Sequence, residues 1–152
     1  MPVLVGSLGD LGLNYLAFVG KVSRTDALEF PASIVAESPE FGVRWLTIFD
    51  VAADMSDLDA DCLLALKARL APVIVRLAVK GPFRIILISH SMYNDHLVAC
   101  WQAMTASDPD YPSNPETAPS IADACARHVL TLPQAAAAEA WMKQRLWSET
   151  AH

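Results

Sequence analysis

The chain has 152 residues, 53% of them hydrophobic and 18% charged, with a formal net charge of −6 and a pI near 5.0. That is one domain's worth of chain, large enough to bury a core without staples and too apolar to be disordered. Its 11 Lys and Arg residues are scattered, which argues against a nucleic-acid partner, since phosphate binding needs clustered cations.

Cys62, Cys100 and Cys125 are far apart and odd in number, with no C-x-x-C, so they read as reduced core thiols of a cytoplasmic protein. The N-terminal M-P-V-L-V-G-S-L-G-D lacks the basic flank and apolar core of a signal peptide. No apolar run approaches the roughly 20 residues of a membrane span.

Pro2 to Ser7 and Leu13 to Val19 are apolar runs either side of Gly9, Asp10 and Gly12, which predicts a β-hairpin. Ser23 opens a helical pattern with Asp26 three residues on, close to a capping box, and Leu28, Ile34 and Val35 can face a core. Pro31 predicts a kink or break in that helix, and Ser38-Pro39 stops it. Arg44 to Val51 reads as a strand covered on both faces, with Asp50 at its carboxyl end.

Ser56 suits an N-cap, followed by Asp57, Asp59 and Asp61, and Leu63, Leu66, Leu70 and Val73 form an amphipathic stripe. Arg69, Arg76 and Lys80 recur on one helical face. That favours one long helix kinked at Pro72 over a separate strand at Val73 to Val79. Phe83 to Ser89 reads as the central strand, and its helix starts at Ser91 or Met92 and runs to about Ala106, with Leu97, Trp101 and Met104 inward.

Asp108 to Pro119 holds four of the ten prolines and predicts a long exposed loop. A short helix at Ser120 to Ala126 and a last strand at His128 to Leu132 follow. Pro133 then opens an alanine-rich helix to about Ser148, with Glu139 and Lys143 as an i, i+4 pair. The pattern predicts a single α/β domain over residues 1–152. Its mixed, mainly parallel sheet has about five strands, with helices on both faces.

Five segments in this order carry a resemblance. They are G-K-V-S-R-T-D at Gly20 to Asp26, P-E-F followed by R-W-L-T-I-F-D at Pro39 to Asp50, M-S-D-L-D at Met55 to Asp59, S-H-S-M-Y at Ser89 to Tyr93, and E-A-W-M at Glu139 to Met142. With them the chain resembles the STAS/SpoIIAA-like domains of small bacterial proteins, from about Asn14 to Met142. The resemblance implies a small α/β sandwich and a non-catalytic protein-interaction or regulatory module, with a second copy or another protein as partner. It departs from the antagonists of that family that carry a phosphorylatable serine in a D-S-S/A-G-like helix start. Here the stretch reads D-V-A-A-D-M-S-D, and a phosphate on Ser56 would be repelled by Asp57 and Asp59. The phospho-switch is therefore not carried over, and the proline-rich stretch falls outside the resemblance.

Ligands of parallel sheets bind beyond the carboxyl ends of the strands, where a helix start offers free N–H groups. The candidate ligand-binding set is Asp50, Ser89, His90, Ser91, Tyr93 and Asn94. It supports an alternative function: binding a small molecule or lipid in a pocket at that edge, under the proline-rich loop. The structural reading makes Ser91 an N-cap, Asp95 a dipole partner, and His90 and Tyr93 surface residues. Neighbouring Ser89 and His90 point to opposite strand faces, no G-x-S-x-G occurs, and His96 or His128 would have to approach as base, so no catalytic residue is assigned. His90 and His96 are six apart rather than four, and Asp54, Asp57, Asp59 and Asp61 read as a solvated helix start. Asp50 with Asp54 gives only a weak cation hint, and no metal or cofactor is expected. Trp101, Trp141 and Trp147 read as core or half-buried residues, or as an aromatic patch for a second copy.

Overall fold

Strand-forming runs alternate with amphipathic helices along the chain, and the sheet they build is five-stranded, in the order β1-β2-β3-β4-β5. The computed structural model describes residues 2–36 and 41–150, the last four as backbone, so Ser38-Pro39 and the Trp147 side chain lie outside the described residues. The elements are β1 Val3–Leu8, β2 Leu13–Phe18, α1 Arg24–Ala36, β3 Arg44–Phe49, α2 Ala60–Ala78, β4 Arg84–Ser89, α3 Met92–Ala106, β5 Glu116–Ala118, α4 Ile121–Arg127 and α5 Leu132–Thr150. β1 and β2 pair antiparallel as the expected hairpin, and the other pairs are parallel. The middle strand is therefore β3, not the Phe83 to Ser89 strand.

Alternate residues of β3 feed two cores. Trp45 and Phe49 pack with α1, α2 and α3 residues such as Phe30, Leu63 and Leu97. Leu46 and Ile48 pack with Ile121, Ala138 and Met142 of α4 and α5. Burying each large side chain is worth about 1.5–3 kcal/mol. Helices thus cover both faces of the sheet. Gly6 lies opposite Tyr15, and a Cβ there would strike the Tyr15 hydroxyl. The Tyr15 ring in turn leans on Trp141 of α5, centroids 5.5 Å apart.

The capping box is present: Asp26 N donates to Ser23 Oγ at 3.0 Å, and Ser23 N donates to Asp26 Oδ2 at 2.9 Å. α1 runs through Pro31 without a break, because the proline ring is buried and its packing offsets the lost hydrogen bond. α2 likewise continues through Pro72, so Val73 to Ala78 is helix. Its N-cap is Asp59, accepting from Cys62 N at 2.8 Å, rather than Ser56. Burial of Met55 and Leu58 holds the segment ahead of α2 in a turn, and Ser56 N donates to Asp54 Oδ1 there.

The last strand is not His128 to Leu132 but Glu116–Ala118, inside the proline-rich stretch. It is three residues long, an edge strand bracketed by Pro115 and Pro119, where proline is tolerated. The stretch is consequently not an exposed loop: Pro115 and Ala118 are buried and Tyr111 is half-buried. His128 ends α4, and Val129 adopts φ 64°, so that Leu130 N donates back to Cys125 O at 3.2 Å. That closes a Schellman turn into α5. Cys62 and Cys125 are buried thiols, as expected, but Cys100 is exposed on α3. No helix among the described residues is long and apolar enough to cross a membrane.

Candidate functional site at the carboxyl edge of the sheet

Phe49 of β3 is in register with Ser89 of β4, so Asp50 and His90 are the first residues past two neighbouring strand ends. Asp50 is used in the turn it begins: its N–H donates to Phe18 O at 3.0 Å, and its Oδ2 accepts from Ala52 N at 3.3 Å. Ser91 is the N-cap of α3, with Oγ accepting from Asn94 N at 3.1 Å. Ser89 is half-buried, and its hydroxyl makes a long contact of 3.5 Å to Ser91 O. His90 is exposed.

Asn94 turns inward and is completely buried. Its Nδ2 donates to Ala53 O at 3.4 Å, while its Oδ1 has no partner. This amide ties the start of α3 to the loop between β3 and α2. The same loop is tied on its other side, where Asp54 N donates to Gly20 O at 2.7 Å and Val22 N donates to Asp54 O at 2.9 Å. The edge is therefore a braced surface.

The six expected site residues separate. Asn94 belongs to the interior, and His90 and Tyr93 face solvent. Ser89 alone of the six lines a groove of about 420 Å³ between α3 and β5, with Asp95, Gln102, Thr117 and Arg127. What this edge presents is apolar: Val51, just after β3, is 67% exposed, and Met92 and Tyr93, in the first turn of α3, are 89% and 50% exposed. Val51 and Met92 were not foreseen as surface residues. A hydrophobic residue just after a strand end, and another just after an N-cap, are the signals they offered.

The loop that carries Val51 leads into a run of carboxylates held by cations. Asp54 and Asp57 share Lys21, at 3.9 and 3.8 Å, and Asp59 pairs with Arg24 at 3.3 Å. Hydrogen bonds from the Ser56 hydroxyl and backbone, with Lys21 beyond them, hold the Asp54 carboxyl below its usual range. Asp54 is thus engaged by Ser56 and Lys21. Among the described residues no group of three or more His, Cys, Asp and Glu is placed to hold a metal ion.

Among the described residues the two other histidines lie away from the serines. His96 sits 3.7 Å from Cys100 Sγ on the exposed face of α3. His128 is at the opposite, amino end of the sheet, with Nε2 3.0 Å from Trp45 O. Burial pushes its pKa down, and nearby Arg84 and Arg44 add to that. Neither is placed to activate Ser89 or Ser91. Comparisons with protein-family models, curated proteins and solved structures return no match.

Proposed function

We propose that this chain is a non-catalytic protein-interaction module that docks a partner protein on the carboxyl edge of its sheet. The observation that carries this reading is the exposed apolar side chains Val51, on the loop after β3, and Met92 and Tyr93, in the first turn of α3, two segments tied by the bond from Asn94 to Ala53 O. A solvent-exposed Tyr on a fixed backbone buries area at low entropic cost, and a flexible Met moulds itself to a partner's surface, the character of interface anchors. The hydroxyl of Ser91 is taken up as a cap and the Asp50 carboxylate closes a turn, which supports binding rather than bond-making here.

The acidic run selects the partner chemistry. Asp54, Asp57 and Asp59 follow Val51 along the chain, paired with Lys21 and Arg24, on a chain of net charge −6. A second copy would bring two chains of net negative charge together. The fitting partner therefore presents an apolar knob ringed by Lys or Arg. The resemblance to STAS/SpoIIAA-like regulatory modules points the same way.

The test places a photo-reactive benzoylphenylalanine at Tyr93 and collects adducts from the source cell. A single recurrent partner is expected, whose purified form binds the intact chain at least tenfold more weakly after Met92→Asp, and more weakly as salt is raised. A partner indifferent to Met92→Asp, an adduct only with a second copy, or no adduct would overturn the reading.

A further inference from the structure

The polar residue in the middle of R-W-L-T-I-F-D has no structural partner. Thr47 is 3% exposed, and its hydroxyl makes no hydrogen bond. It lies on the β3 face turned toward α1, α2 and α3, and lines a cavity of about 70 Å³ whose other walls include Phe30, Leu63, Leu66, Leu87 and Leu97. A second cavity of about 50 Å³ shares the Leu16, Phe30, Leu70, Ile85 and Trp101 walls, and ends under Tyr111, Ser113 and Pro115. The pair leads from the Thr47 hydroxyl to the underside of the proline-rich segment.

That segment is fastened as a cover. Lys67 Nζ meets Asp108 Oδ2 at 2.6 Å, Tyr111 stacks edge-on against Trp101 at 6.3 Å, and Gln102 Nε2 donates to Pro115 O at 3.0 Å. These contacts hold the proline-rich stretch across the outer end of the cavities.

We propose that this interior space binds a small, largely apolar molecule with one hydrogen-bonding end, an alcohol or carbonyl, seated on Thr47. Water is a poor match for the space. A buried water needs two to four polar partners, and the walls of the first cavity offer only Thr47 and, at the rim, Trp101, while Tyr111 and Ser113 stand at the far end of the second. An apolar cavity of about 150 Å³ accepts benzene, so this smaller space suits a chain of about four carbons. This site lies inside the helical layer; it shares Met55 with the loop of the proposed docking edge, but binding in it does not require a docked partner.

Methyl-resolved NMR of the whole chain with xenon and with 1-butanol tests the proposal. Both probes are expected to shift the Leu63, Leu66, Leu87 and Leu97 methyl signals saturably. Thr47→Val keeps the volume and removes the hydroxyl. It should weaken 1-butanol about fivefold to tenfold and leave xenon within about twofold. Leu66→Phe should block both probes. Absence of saturable shifts in the unaltered chain overturns the cavity as a site, a result that needs no variant to fold. Butanol binding unchanged by Thr47→Val overturns the role of the hydroxyl.

Discussion

Arg84 and Glu116 meet as a fork on a fork, with Nε–Oε2 at 2.6 Å and Nη2–Oε1 at 2.9 Å. The pair joins β4 to β5, which is only three residues long. Arg84 also donates to Arg127 O, and Arg127 donates to Thr117 O, so one polar network holds the edge strand and the end of α4 in place. Position on the edge follows from it: β5 brings Pro115 over the interior cavity and Thr117 into the groove beside Ser89.

Glu116→Gln should destabilise the fold at neutral pH. Both side chains are more than a third exposed, so the cost is screened and stays at about 1 kcal/mol or less. The hydrogen bond from Arg84 holds the Glu116 carboxyl below its usual range. Its contribution is therefore present above the unfolded-state value and is lost as pH falls through the lowered folded-state value. Urea unfolding at pH 7 should separate variant from parent, and in strong acid the two should converge. A gap that persists in acid would mean that shape rather than charge is lost.

Several elements were legible because their signals are local. The hairpin glycines, the Ser23 capping box, the Ser91 N-cap and Pro133 in the first turn of α5 each involve residues a few positions apart. The uninterrupted face of α2 outweighed Pro72 for the same reason. β5 was hidden because E-T-A between prolines carries no apolar alternation. Val129 and Leu130, next to buried His128, imitate a strand where a helix in fact ends. Which strand is central depends on crossovers rather than on any strand's own residues. The site divided along the same line: capping by Ser91 is local, whereas burial of Asn94 depends on where Ala53 lies across the sheet edge.

Val129→Gly should stabilise the chain. A β-branched residue at φ 64° is strained, by roughly 1–3 kcal/mol for such conformations, and glycine is the usual occupant of this Schellman position. The valine side chain is 86% exposed, so little packing is lost. Set against glycine's greater unfolded-state freedom, a net gain of about 1 kcal/mol is expected in the urea midpoint at unchanged m-value. A loss of stability would show that the αL turn carries no strain.

His128 should make stability fall in mild acid. Its folded-state pKa is lowered by burial, with Arg84 and Arg44 adding to the effect against the bond to Trp45 O. A depressed histidine favours the neutral form in the fold, so the unfolded chain binds more protons just below its ordinary value of about 6.5. Stability is thus full above that value and declines as pH drops toward the folded-state value. His128→Gln should remove this part of the slope, which begins near the ordinary histidine value of about 6.5 and extends below it, whatever it does to the absolute stability. An unchanged slope, followed by thermal unfolding across that range, would assign the acid sensitivity elsewhere.

Asn94→Leu separates bracing of the docking edge from stability of the fold. The substitution keeps the volume and removes the unpartnered Oδ1, a gain, while losing the 3.4 Å bond to Ala53 O. An unsatisfied buried acceptor costs about 1–3 kcal/mol and a long hydrogen bond returns no more than about 1 kcal/mol, so global stability should stay the same or rise slightly. Locally the result should be the reverse. With its tie to α3 gone, the loop from Val51 to Ser56 should exchange its amide hydrogens faster, and the partner proposed to dock on Val51 and Met92 should bind more weakly because the surface is no longer fixed. Hydrogen exchange read residue by residue decides it: equal protection in variant and parent would mean that the bonds from Gly20 and Val22 hold the edge without Asn94.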